Sequence, residues 1–419
     1  MLHGQQLITA SLLAAALLIA GCTTEADDTT NNGGAARTAV PVSFGGLVGT
    51  PKMETRAGEY RGIIGSTEQL KSSNCGFGVF TAYTNNQNFA AWVTAAPVVP
   101  NFMYNQQVTW NGNQWHYTPT KYWPNETGAS AQSQDVDKLS FFAYAPYMEA
   151  DAATGATEQT TGITNVSTNS SNTTPRITYV VSNNPTQGND LLWGTDASGL
   201  PHVNLTKQAI DENVDFHFRH ALARMAITIR AVVDELTPGD IQTDDHTRIE
   251  VTDITIAGHF PTTGTLDLNN TTANVAQWTC DTTDAQTLTM TATTPNTLLA
   301  RLHTVGVNTV ERNIFTALPM GTDGMENQEH FLMLPTAGNT APGYRKTYRV
   351  SVTYDVVTTD SRLPAGEHRA TTTQQKDVYL NLACNTSYTL RLLLGLTSLK
   401  LTVESTAWGN ESEVNYSVE

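Results

Sequence analysis

Charge is scarce in this chain. Charged residues make up 15% of its 419 positions, well under the usual quarter, which argues against long, charge-laced helices. Basic residues are scarcer still. With 23 Lys+Arg against 39 Asp+Glu, the formal net charge is −16, and sequence-independent binding to nucleic acid needs the opposite sign. Four cysteines exclude a disulfide-dense scaffold. After residue 20 there is no apolar run long enough to span a bilayer. Also missing are the Gly-x-Ser-x-Gly elbow, the P-loop, the dinucleotide fingerprint, His-Glu-x-x-His, Cys-x-x-Cys and the EF-hand loop. The chain is therefore expected to carry no catalytic residue, no metal site and no cofactor, and to be no enzyme. A glycoside hydrolase would need two facing carboxylates. The acidic groups Asp211, Glu212 and Asp215, and Asp244 with Asp245, fall instead in turn-like stretches that suit solvated faces.

What is present favours strands. Thr is about one residue in six, and β-branched residues fit pleated surfaces. Short apolar alternations recur between turn residues: Val40, Val42 and Phe44; residues 77–80 (FGVF); 139–144 (LSFFAY); 177–181 (ITYVV); 251–256 (VTDITI); 266–268; 348–354 (YRVSVTY); 388–392 (YTLRL); and 399–403 (LKLTV). Period two with turn punctuation is the all-β signal. Residues 206–213 are one short helical candidate, and residues 237–240 look like a turn. In 214–232 (VDFHFRHALARMAITIRAV), Phe216, Phe218, His220 and Leu222 share one parity while Met225, Ile227 and Ile229 share the other. A one-residue bulge near 221–224 would keep both sets on one buried face. His217 and His220 would then face opposite sides, a poor joint metal site, and His220 reads as a satisfied core histidine.

The N-terminus reads as an address. Residues 7–20 (LITASLLAAALLIA) have signal-peptide length, and Ile19-Ala20-Gly21-Cys22 resembles a bacterial lipobox, in which the Cys is lipidated after cleavage. The preceding MLHGQQ contains no Lys or Arg. Residues 1–21 are thus read as a lipoprotein signal peptide and 22–37 as a flexible polar tether. A body domain over 38–210 and a second over 211–419 follow.

Several segments together resemble the fimbrillin family, pilin-type lipoproteins of Bacteroides-like bacteria. They are the lipobox at Cys22, Thr55-Arg56-Ala57 after a first strand, residues 115–124 (WHYTPTKYWP), 139–146 (LSFFAYAP), 218–225 (FRHALARM), 388–396 (YTLRLLLGL), and Trp408-Gly409. The resemblance implies two tandem transthyretin-like β-sandwiches. It also implies an exported lipoprotein, carrying acyl chains such as palmitate, that reaches the outer membrane and a surface fimbrium and contributes to adhesion or biofilm. An arginine-specific or trypsin-like protease would remove the first strand (about 39–48), and a strand of another pilin subunit, in a homo- or hetero-polymer, would fill the vacated groove. Arg56 is the implied cleavage site, with Arg37, Arg61 and Lys52 as rivals. The implied donor strand is 411–419, where Val414, Tyr416 and Val418 alternate with Asn415, Ser417 and Glu419. A competing expectation is a lipid-anchored adhesin or glycan-binding protein that never polymerises and recognises a host or bacterial surface ligand. It would present Trp110, Trp115, Tyr117, Tyr122 and Trp123 exposed in a row.

Overall fold

The chain is nearly all strand, as expected, and many of the strands carry the period-two pattern. A computed structural model describes residues 40–48, 63–95, 100–124, 137–167, 174–182, 189–208, 212–233, 246–280, 331–337, 346–408 and 413–416, with short strand pieces at 235–236 and between 286 and 313. The helices among the described residues are Thr67–Leu70, capped by the Ser66 side chain, and Phe89–Ala95. The helix expected over 206–213 does not form at its described positions, which are irregular. That stretch offers only Ala209 and Ile210 as adjacent apolar residues, too few for a buried helical stripe.

The first sheet has eight strands. Its order is Phe44–Val48, Val214–His220, Leu192–Thr195, Leu139–Ala145, Phe77–Tyr83, Met103–Trp110 and Trp115–His116, with His202–Leu205 also pairing with Leu139–Ala145. Both faces of this sheet are covered. One face carries Phe44, Phe77, Phe141 and Phe216. The other sets Phe80, Phe142, Tyr144 and Trp193 against Ile163, Ile177, Tyr179 and Leu266, which belong to a four-stranded sheet ordered Gln277–Cys280, Thr263–Asp267, Arg176–Val180 and Gly162–Val166. Every residue of Leu139–Ala145 is consequently buried, and the run is apolar rather than alternating.

The second core lies between two further sheets. One is ordered Arg312–Asn313, Ala223–Ala231, Thr386–Leu394, Leu399–Ala407 and Glu413–Tyr416; the other is ordered Gln286–Thr291, Thr247–Gly258, Thr347–Thr359 and Glu367–Tyr379. Met225, Ile227, Ile229, Leu390 and Leu401 from the first meet Ile254, Ile256, Val350, Val352 and Tyr354 from the second.

The parity switch in 214–232 has a different origin from the expected bulge. The chain changes sheets. Val214–His220 pairs antiparallel with Leu192–Thr195 in the first sheet, whereas Ala223–Ala231 pairs parallel with Thr386–Leu394 in another. Phe216 and Phe218 thus face one core, and Met225, Ile227 and Ile229 face a second. The division expected at 210/211 is crossed twice, by Val214–His220 and by the segment containing Thr263–Asp267 and Gln277–Cys280.

The crossing itself is tightly bonded. Ala221 N–H donates to Leu191 O (2.8 Å), and Asn385 N–H donates to Leu222 O (2.9 Å). Trp278 Nε1–H donates to Ala221 O (2.8 Å). His220 is buried, as expected. Its Nδ1 lies 2.8 Å from Asp190 Oδ2, which also accepts the Ile64 N–H (3.0 Å). The ring of Trp408 stacks flat on His220, with centroids 3.7 Å apart, and Arg224 covers Trp408 at 5.1 Å. Asp215, read from sequence as a turn residue, lies in a strand and is exposed. Cys75, Cys280 and Cys384 are free thiols.

On the outer face of the last sheet, Glu250 is nearly fully buried beneath two guanidinium groups. Arg248 Nε and Arg369 Nη1 each reach it at 2.8 Å. Arg369 Nη1 also meets Asp355 Oδ2 at 2.7 Å, and Thr371 Oγ1 donates to Asp355 Oδ1 at 2.6 Å. Burial alone would raise the Asp355 carboxyl, but the hydrogen bonds from Thr371 and Arg369 outweigh it and hold the group below its ordinary value. A carboxyl depressed in the folded state contributes its full stabilisation above its unfolded value of about 3.9 and loses it as pH falls through the folded value. Urea unfolding at about pH 5 and about pH 3 should therefore show an acid loss of stability that is smaller in Arg369→Met than in the parent. An equal loss in both would remove Arg369 from this role.

Candidate functional site

The first strand occupies a seam. Residues 40–48 pair first with 121–123, beyond the last strand of the eight-stranded sheet, and then with the strand at its other end. Val42 N–H donates to Lys121 O (2.8 Å), and Trp123 N–H donates to Val40 O (2.9 Å), with Pro41 bridged to Tyr122. Further on, Phe44–Val48 pairs in parallel with 214–218, Phe44 opposite Val214 and Val48 opposite Phe218. Val214 N–H donates to Ser43 O (2.8 Å). At its far end, Val48 N–H donates to Thr67 Oγ1 (3.0 Å) at the start of the short helix. Pro41 offers no N–H, which suits its place at the start of an edge strand.

Alternation decides which side chains enter the core. Val40, Val42 and Phe44 are buried, and Val48 is partly buried on the same side, while Leu47 is 51% exposed. The Phe44 ring meets four others: Tyr117 at 5.4 Å, Phe141 and Phe216 each at 5.9 Å, and Phe77 at 6.4 Å between centroids. Tyr117 is buried and donates its hydroxyl to Val42 O at 2.8 Å. Burial pushes that hydroxyl up to about 12, so it remains a donor at physiological pH. Burying two valines and a phenylalanine contributes roughly 1.5–3 kcal/mol each.

The other sequence-derived positions divide clearly. Cys22, Arg56, Arg37, Arg61, Lys52 and Val418 lie outside the described residues. Val414 and Tyr416 lie in Glu413–Tyr416, an outermost strand whose backbone pairs antiparallel with 403–406, Val414 opposite Ser405 and Tyr416 opposite Val403. The aromatic row required by the glycan-binding alternative does not form. Tyr117 and Trp123 are buried, Trp110 and Trp115 are half-buried and packed edge to face, and only Tyr122 of the five is exposed. Tyr117 and Trp123, with Trp115 beside them, wall the groove. Sequence reasoning missed that role for Tyr117 and missed Thr67 altogether; the signal was 115–124 itself, an aromatic cluster with no alternation of its own.

A family model described as fimbrillin-like matches residues 67–408. The chain belongs to this fimbrillin-like family. A curated relative, fimbrium subunit Fim1C of Phocaeicola vulgatus, is 34% identical over 172 residues, or 40% of this chain. The match spans 39% of that relative's length. Among solved structures, a fimbrial protein from Bacteroides vulgatus superposes with a TM-score of 0.57 at 21% identity, covering 88% of this chain and all of its own. That likeness speaks for the fold, and it agrees with the all-β architecture of this fimbrillin-like chain.

If Phe44 is the principal anchor of the seam strand, Phe44→Ala should destabilise the uncleaved chain by about 3–5 kcal/mol. Tyr117→Phe, which removes one hydrogen bond and no ring, should cost about 1 kcal/mol. Urea denaturation of the two variants measures both. The reverse ranking would mean the backbone bonds hold the strand.

Proposed function

We propose that this chain is the precursor of a structural subunit of a surface fimbria, assembled by protease-triggered strand exchange and serving adhesion or biofilm formation. It is exported as a lipoprotein, held at the outer membrane through Cys22, and cut after Arg56 by an arginine-specific or trypsin-like protease. Cleavage frees residues up to Arg56 from the body. The first strand can then be replaced by a strand from another pilin subunit. The residues 411–419, with Val414, Tyr416 and Val418 as the apolar series, serve as the strand this chain donates to a neighbour.

One observation carries the reading: residues 40–48 hold a seam closed from the edge of a sheet, not from its interior. An edge strand can be lost without dismantling the sheet it borders. Its loss uncovers unpaired backbone groups and an aromatic groove, both of which an incoming strand satisfies. The likeness to fimbrium subunits supports the same reading. Among the described residues, Glu413–Tyr416 pairs with its own sheet at four register positions at an outer edge. Releasing it costs little at about 0.5–1.5 kcal/mol per hydrogen bond.

The test is brief treatment of the purified full-length chain with a trypsin-like protease. The new N-terminus is read by mass spectrometry and the size by light scattering. The expected outcome is cleavage after Arg56 followed by growth into oligomers. Clipping confined to Arg37, or a monomer that persists after cleavage at Arg56, contradicts the proposal and favours an anchored adhesin.

A further inference from the structure

The groove under the first strand is not equally deep along its length. Val40, Val42 and Phe44 fill its first three inward positions, and Val48 packs at its far margin. At the fourth inward position, Gly46, no side chain enters. A Cβ placed there would lie 3.3 Å from Phe77 Cε1, 3.4 Å from Leu70 Cδ2 and 3.4 Å from Phe218 Cε2. A methyl group alone would press on Phe77 by a few tenths of an ångström and touch the other two at the limit of ordinary contact, whereas the further carbons of a valine would need all three neighbours to give way. All three are buried core residues, and close packing leaves them nowhere to retreat without disturbing the next layer. Gly45 is a different case. A Cβ there meets only the carboxylate of Asp215, an exposed side chain that is free to swing aside. The restriction therefore sits at one position.

We infer that this closed position makes the groove selective. It admits a strand of the pattern apolar-x-apolar-x-aromatic-x-Gly, supplied by a subunit of another kind rather than by a second copy of this chain. The in-trans half of this inference rests on the strand-exchange reading. The sequence of 414–418, Val-Asn-Tyr-Ser-Val, is symmetric in its apolar pattern about Tyr416. With Tyr416 in the place of Phe44, a valine falls on the closed position whichever way the strand runs. Shifting the register by two puts Tyr416 either onto the closed position or into the seat of Val42, which is 1% exposed and sized for a valine. The chain's own terminal strand is thus a poor match to its own groove, while its glycine-containing first strand is a good one.

Two measurements on the full-length chain test this. In the uncleaved chain, Gly46→Val should lower the urea midpoint and Gly46→Ala should lower it less. Adding Leu70→Ala, which opens the space, should make the Gly46→Val change less harmful than it is in the parent, a coupling that a double-mutant cycle reads directly. In chain nicked by a trypsin-like protease, fluorescent peptides are then offered. The peptide of residues 40–48 should bind, whereas the same peptide with Gly46→Val and the peptide of residues 411–419 should bind at least tenfold more weakly. Equal binding of either weaker peptide, or a Gly46→Val chain as stable as the parent, overturns the inference. Uptake of no peptide at all, alongside a destabilised Gly46→Val chain rescued by Leu70→Ala, defeats the strand-exchange reading and leaves the closed position standing.

Discussion

A sheet buried on both faces still has two edges, and closing them is the constraint on which this structure depends. Among the described residues, 40–48 bridge from one edge strand to the segment beyond the other. One half pairs with 121–123 and the other with 214–218, so a single nine-residue segment satisfies backbone groups that would otherwise face water over an aromatic interior. Its hold is mostly side-chain burial. Phe44 packs among four rings, and Tyr117 fastens the backbone beside it. Under the proposed strand exchange, a strand retained this way is firm while covalently attached and replaceable once cut, because the groove supplies both the ladder and the pockets.

The second organising feature is the crossing at Ala221–Leu222. One extended segment contributes Phe216 and Phe218 to the first core and Met225, Ile227 and Ile229 to another. Its polar groups are bonded at each step, to Leu191, Trp278 and Asn385. The stack of Trp408 on His220, with Asp190 behind it, ties the end of the last long strand to this crossing and to Ile64. The body on both sides of the seam is thereby cross-braced independently of the first strand. On the proposed reading, loss of residues 40–48 would open a groove in a framework that other interactions hold together.

Much of the fold could be read from the sequence where one face of a strand is buried. Val40, Val42 and Phe44 alternate and are buried together, and the run 348–354 behaves likewise. In 251–256, Val251 joins Ile254 and Ile256 in the core only through a register shift between Val251 and Asp253. Glu367–Tyr379 escaped notice because nearly all of its side chains are exposed or half-exposed. Its sequence, rich in Thr and Gln, shows no apolar period, and only its pairing with Thr347–Thr359 makes it a strand. The parity change near 221–224 was visible, but alternation reports burial and not the identity of the partner sheet, so a bulge and a change of sheet read alike. The closure of the Gly46 position depends on Leu70, Phe77 and Phe218 converging from three separate elements, which no local pattern encodes. The aromatic run 115–124 was equally ambiguous. Stacking on a sugar and walling a groove call for the same residues, and only their burial separates the two.

The central claim is that the first strand is a separable element seated in an otherwise self-supporting body. Native-state hydrogen exchange on the intact chain tests it most directly, because local opening and global unfolding leave different signatures. The account predicts that the amides of Val42 and Val214, bonded to Lys121 O and Ser43 O, exchange through an opening well below the global unfolding free energy. The amides of Ala223–Ala231, paired along their whole length with Thr386–Leu394, should exchange only with global unfolding. Equal protection of both sets, lost together in one cooperative step, would show that the first strand is integral to the fold and would contradict the account.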